Sequence, residues 1–189
     1  MATLDLDTDV PANGADVTQV GTIPLRFGRL RLQNGMSAAN RPVQLALAAQ
    51  YWNGSAYNTN TLDSCTSVSA AHLSFGNLRK SLVAGDAVMS NSPATVSAGV
   101  GRITLAAPAS GHAGTLDVAI ALDATATDAS CLKDPPVSWT PAKAATAGAR
   151  LLGLRGTWCG GTAFKDPSAR ATWGLYRGDN GVIYQKENY

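Results

Sequence analysis

From Gly114 to Ala124 the chain reads GTLDVAIALDA, and hydrophobic side chains fall on every second residue. Leu116, Val118, Ile120 and Leu122 point one way; Thr115, Asp117 and Ala119 point the other. Only an extended strand has that two-residue period, because successive Cβ atoms leave opposite faces of a sheet. The pattern recurs as Val43, Leu45 and Leu47 in PVQLALAAQYW, as shorter alternations in HLSF and VGRITLAAP, and again in ATWGLYR and VIYQKEN. The 3.6-residue periods that would carry helices between strands are missing, which excludes an α/β arrangement.

Turn chemistry separates these runs. Asn53-Gly54 is a strong short hairpin signal, NSPA punctuates the middle, and Gly178-Asp179-Asn180-Gly181 joins the last two runs with residues that tolerate positive φ. Eight or nine short strands of this kind predict an all-β fold, an antiparallel β-sandwich of immunoglobulin-like type. Residues 21–189 are expected to form that single domain. Residues 1–20, polar and aperiodic, read as a linker or loose arm, and the Ala/Pro/Thr-rich stretch around 124–149 as a long loop. The arm repeats aspartate at Asp5, Asp7 and Asp9, but Val10 stands where a calcium loop needs its glycine, so solvated linker charge is expected. In LRFGRLRLQN the parity changes at Gly28, between Phe27 and Leu30, which predicts a β-bulge there. Arg29 and Arg31 then share one strand face, which reads as a solvated surface or as a binding place for an acidic ligand.

Composition narrows the partners. The 189 residues are only 15% charged, against about 25% in ordinary soluble proteins. Ala, Ser, Thr, Gly and Asn take up the difference, as in exported β-rich modules. A net charge of +2 and few aromatics argue against nucleic acid, and no apolar run is long enough for a membrane-spanning helix. MATLDLDTDV has neither the basic start nor the apolar stretch of a signal peptide, so Met1 is expected to be an added start on a domain taken from a longer exported protein.

Cys65, Cys131 and Cys159 contain no C-x-x-C pair, which leaves zinc and thioredoxin-type readings unsupported. One disulfide and one leftover thiol are expected in an oxidising compartment. Three pairings are open. Cys131–Cys159 is preferred from its loop contexts, with Cys65 left over, and three reduced buried thiols are the alternative.

Chemistry is harder to find. His72 and His112 stand in no H-E-x-x-H or H-x-H metal pattern and read as surface or loop residues. Gly35-Met36-Ser37-Ala38-Ala39 lacks the strand-to-helix setting of a nucleophile elbow, and GVGRIT lacks the Gly-Lys-Ser/Thr ending of a phosphate loop. No enzyme, cofactor or metal site is expected. Tyr51, Trp52 and Tyr57, which flank the Asn53-Gly54 turn, are candidate sugar-stacking residues, with cross-strand packing as the alternative. Arg170 is expected to lock the Asp166-Pro167-Ser168 turn, and Gly28, Trp173 and Tyr176 to be structural.

Three segments, RFGRLRLQN, QYWNGSAYNTNTLDSCT and DPSARATWGLYRG with the terminal IYQKENY, together resemble the C-terminal domain of MshQ-type proteins. That family is associated with the mannose-sensitive haemagglutinin type IV pilus. The resemblance spans about residues 20–189. It implies an exported, cell-surface module of unknown function whose partner is a pilus or other surface protein. It supplies no catalytic residue. Some relatives carry an Asp-rich, calcium-loop-like segment before the DPSARAT motif; here CGGTAFK (159–165) offers no carboxylate, so no calcium is expected there. A carbohydrate-binding module is the alternative reading.

Overall fold

The computed structural model describes residues 26–122, 151, 153–158 and 164–174, with two short N-terminal strands. Those strands, β1 (Leu4–Asp5) and β2 (Val17–Thr18), pair antiparallel within the stretch read as an arm. The predicted loop around 124–149, the disulfide partners Cys131 and Cys159, and Tyr176 lie outside the described residues.

The fold is all-β, built on two four-stranded sheets. The first is centred on β5 (Val43–Trp52), a ten-residue strand with burial alternating along most of its length. β3 (Gly28–Leu32) pairs along one side of β5. β10 (Val100–Leu105) and β6 (Tyr57–Thr59) share its other side. All three pairings are antiparallel. The second sheet runs in the order β4 (Gly35–Ser37), β12 (Ser168–Trp173), β11 (Gly114–Ile120) and β8 (Leu73–Lys80). Two short strands, β7 (Ser67–Val68) and β9 (Ala94–Thr95), pair separately.

One core joins the sheets. Leu30, Leu32, Val43, Leu45, Leu47, Ile103 and Leu105 come from the first sheet; Leu73, Leu116, Val118, Ile120, Ala171 and Trp173 come from the second. Complete burial of a Val, Leu or Ile side chain contributes about 1.5–3 kcal/mol. This row of alternating residues is therefore what holds the layers together.

The purely antiparallel expectation needs one correction. β4 pairs parallel to β12, with Gly35 opposite Ala171. The chain leaves the first sheet at the end of β3, crosses at Gln33-Asn34, and enters the second as β4. Asn34 Oδ1 accepts the Arg170 backbone N–H at 2.8 Å and anchors the crossing. A Cβ at Gly35 would overlap the carbonyl oxygen of Gln44, so the crossing passes too close to β5 for any side chain.

The bulge predicted at Gly28 is absent. The register runs unshifted from Gly28↔Tyr51 to Leu32↔Leu47. Phe27 does not return inward; it is 52% exposed. A Cβ at Gly28 would lie 3.1 Å from the carbonyl oxygen of Gln50, so the glycine marks a close backbone approach. The register shift that does occur is between β8 and β11, where Asn77 takes φ +52°.

Candidate functional site: the outer face of the first sheet

Strand parity assigns one face of β5 to the core and the other, Gln44, Ala46, Ala48, Gln50 and Trp52, to the outside. The register brings Arg29 and Arg31 of β3 opposite Gln50 and Ala48. It also brings Tyr57 opposite Trp52, and Val100 and Arg102 opposite Ala48 and Ala46. Aromatic groups gather at one end of this face. Trp52 and Tyr57 meet edge-on at 5.2 Å between centroids; Phe27 lies 6.3 Å from Tyr57 and 5.9 Å from Phe164. Phe27, Trp52 and Phe164 are all more than two-fifths exposed.

Arg29 lies between two rings. Its Cζ is 3.5 Å from the Tyr57 centroid and 4.5 Å from that of Trp158, while Nε donates to Gln50 Oε1 at 2.9 Å. Burial lowers its pKa, with the like charge of Arg31 acting in the same direction and Tyr57 against it. The guanidinium nonetheless stays charged at any physiological pH. Such a sandwich fixes both rings and ties segment 153–158 to the outer face.

The three candidate sugar residues do not share one face. Trp52 and Tyr57 share the outer face; Tyr51, one residue before Trp52, takes the opposite parity and has Arg26 stacked 4.3 Å from its centroid. The turn between them is longer than an Asn-Gly pair. It is a four-residue loop in which Asn53 Oδ1 accepts from Ser55 N, Ser55 Oγ and Ala56 N, and Gly54 takes φ +104°. Sequence reasoning missed Phe27 and Phe164, the first through the false bulge.

Further along this face the side chains become small. A groove of about 550 Å³ runs over Ala46 and Ala48 between Gln33, Val100 and Arg102. That volume suits a small ligand or one unit of a chain.

The described aspartates and histidines elsewhere are committed to structure. Asp117, on the face of β11 opposite Leu116 and Val118, is fully buried. Arg170, directly opposite on β12, donates Nε to its Oδ1 at 2.8 Å; Asn77 donates Nδ2 to Oδ2 at 2.9 Å, and Arg79 lies 3.6 Å away. Arg170, expected to lock the Asp166-Pro167-Ser168 turn, thus joins two strands. Asp166 accepts from Arg155 Nε at 2.7 Å. Asp86 accepts from Val83 N, Ala109 N and His112 Nδ1, all within 2.9 Å. The two backbone donors above all, with His112 and against a contrary effect of burial, hold its carboxyl below the usual range. Asp63 closes the TLDSCT turn by accepting from Cys65 N, Thr66 N and Thr66 Oγ1. Burial alone would raise its pKa, but these bonds bring it below the ordinary value.

His72, expected at the surface or in a loop, is buried, and its Nδ1 accepts the Ser69 N–H at 3.0 Å. Asp86 and His112 resemble the orienting half of a catalytic triad, yet no described hydroxyl or thiol hydrogen-bonds to that imidazole. Ser37, in the discarded elbow, donates to the carbonyl of Arg41. Among the described residues no group of three His, Cys, Asp or Glu could hold a metal ion. No helix among them is long and apolar enough to cross a membrane.

The model of a family described as DUF6701, fourth domain, matches residues 26–188. The chain belongs to that family. Comparison with curated proteins and with solved structures returned no match. In this DUF6701 fourth domain the three distinctive sequence segments have physical roles. RFGRLRLQN supplies β3 and the stacked Arg29; QYWNGSAYNTNTLDSCT supplies the β5–β6 hairpin and the Asp63 turn; DPSARATW supplies Asp166 and Arg170. Trp173 fills the core at 1% exposure, and Cys65 is an exposed free thiol.

Proposed function

We propose that this chain is a non-catalytic structural or adhesion module of an exported cell-surface protein connected with a type IV pilus. The observation that carries the reading is the commitment of its described aspartates and histidines to structure. Asp63, Asp86, Asp117 and Asp166 each hold a turn or a strand pair, and His72 and His112 are likewise engaged. General acid–base chemistry needs a carboxylate or imidazole with reach to a substrate. The family description, a fourth domain, supports a unit within a longer polypeptide. The pilus connection rests on the resemblance to MshQ-type proteins.

The strand order supports an immunoglobulin-like arrangement. β3, β5 and β10 divide from β8, β11 and β12 as strands A, B and E divide from C, F and G in that fold. Such sandwiches serve as rigid spacers that present faces and loops. Tagged protein exported to the cell surface should co-purify with a major or minor pilin. A monomer that retains no pilus component under mild extraction would overturn the proposal.

The exposed rings of Trp52, Phe27 and Phe164 favour a second reading, carbohydrate binding, because apolar ring faces at a sheet surface suit sugar stacking. A glycan array comparing wild type with Trp52→Ala decides it: binding that drops in the variant supports the reading, and no binding, or binding untouched by the change, ends it.

A further inference from the structure

The outer face of the first sheet is charged with one sign. By register it carries Arg29, Arg31 and Arg102 with Gln44, Gln50, Thr59 and Thr104, and no aspartate or glutamate. Arg29 is consumed by its two rings and Gln50, but Arg31 and Arg102 are exposed and have no ion pair among the described residues. They flank the Ala46–Ala48 floor on opposite sides: Arg31 is paired with Ala48 on β3, and Arg102 with Ala46 on β10. The aromatic end of the face begins one residue pair beyond, at Gln50 and Trp52. The four acidic side chains described within residues 26–174 are all turned to structural work elsewhere. A cleft lined by one sign of charge concentrates counter-ions of the other.

We propose that this face binds an acidic polysaccharide, its carboxylate or sulfate groups held by Arg31 and Arg102 over the alanine floor and an adjoining sugar ring resting on Trp52. The proposal rests on the carbohydrate reading of the same face and narrows it to anionic glycans. A glycan fits better than a peptide. The groove lies on the face of the sheet, where a peptide backbone would find no ladder to join. What the face does offer is guanidinium and amide donors, hydroxyls and aromatic rings.

The test is binding of the intact chain to four probes at low and at physiological salt: polygalacturonate, a sulfated glycan such as heparin, neutral dextran, and poly-glutamate as a polyanion without sugar. Wild type should bind the acidic glycans, lose affinity as salt rises, and ignore dextran and poly-glutamate. Arg31→Gln and Arg102→Gln, both exposed positions, should each weaken acidic-glycan binding about tenfold or more with an unchanged melting temperature. Trp52→Ala should weaken it as well. Binding to dextran alone would keep the carbohydrate reading and overturn this proposal. Equal binding to poly-glutamate would reduce the face to a non-selective charge patch and overturn it too. No binding to any glycan would end both.

Discussion

Asp117 occupies the middle of the second sheet with no exposure, and arginines reach it from both neighbouring strands. Removing one partner of a buried pair costs about 3–5 kcal/mol, since the remaining charge is stranded. Arg170 is partly exposed and Arg79 would remain, so Arg170→Ala should cost less, about 2–3 kcal/mol by urea titration. A cycle with Asp117→Asn isolates the pair, and a coupling near zero would show that the contact is incidental. His72 gives a second prediction at this scale. Burial lowers its pKa from an ordinary 6.5, and its Nδ1 accepts a backbone N–H only while unprotonated. The unfolded chain takes up this proton near pH 6.5 and the folded chain only at lower pH. Stability should therefore be level above that pH and fall on acidification below it. Urea midpoints at pH 7.5, 6.5 and 5.5 should show the fall in wild type and a shallower one in His72→Gln; identical slopes would assign the acid sensitivity elsewhere.

At the scale of elements, the strands were legible because alternation is a direct record of which side chains face oil. β5, β10 and β12 all follow it. What failed was inference from a single face. β11 is buried on both sides, and the arginine that pairs with its aspartate lies 53 residues away in the chain. The Gly28 bulge failed for a related reason: Phe27 was assumed to seek the core, whereas it joins an aromatic cluster outside. The aromatic site was half legible, since Trp52 and Tyr57 flank an obvious turn while Phe164 arrives from a distant segment. The parallel β4–β12 pair left no periodic trace in a three-residue strand. Its determinant is Gly35. Gly35→Ala should drive a methyl into the Gln44 carbonyl and push the crossing away from β5. A loss of about 2 kcal/mol or more is expected, of the order of other overpacked sites. Amide exchange should accelerate in Gly35–Ser37 and along β12, with β10 unaffected; uniform acceleration would mean that the crossing is not a local device.

At the scale of the molecule, the two sheets divide the work. The second sheet buries its charges to fix strand pairing, and the first turns arginines and aromatic rings to the outside. The proposed export would put this arrangement in a place without a reducing environment to protect its thiols, so the cysteines test that proposal. Cys65 is exposed beside the Asp63 turn, and among the described residues its Sγ lies 3.7 Å from Asp63 Oδ1. It should react with iodoacetamide in the native protein. If Cys131 and Cys159 are paired as their loop contexts suggest, intact mass without reductant should show one adduct, absent in Cys65→Ser, and three after reduction and unfolding. Three adducts on the unfolded, unreduced chain would remove the disulfide and, with it, the sign of an oxidising compartment. An adduct count of one that persists in Cys65→Ser would place the reactive thiol in another loop.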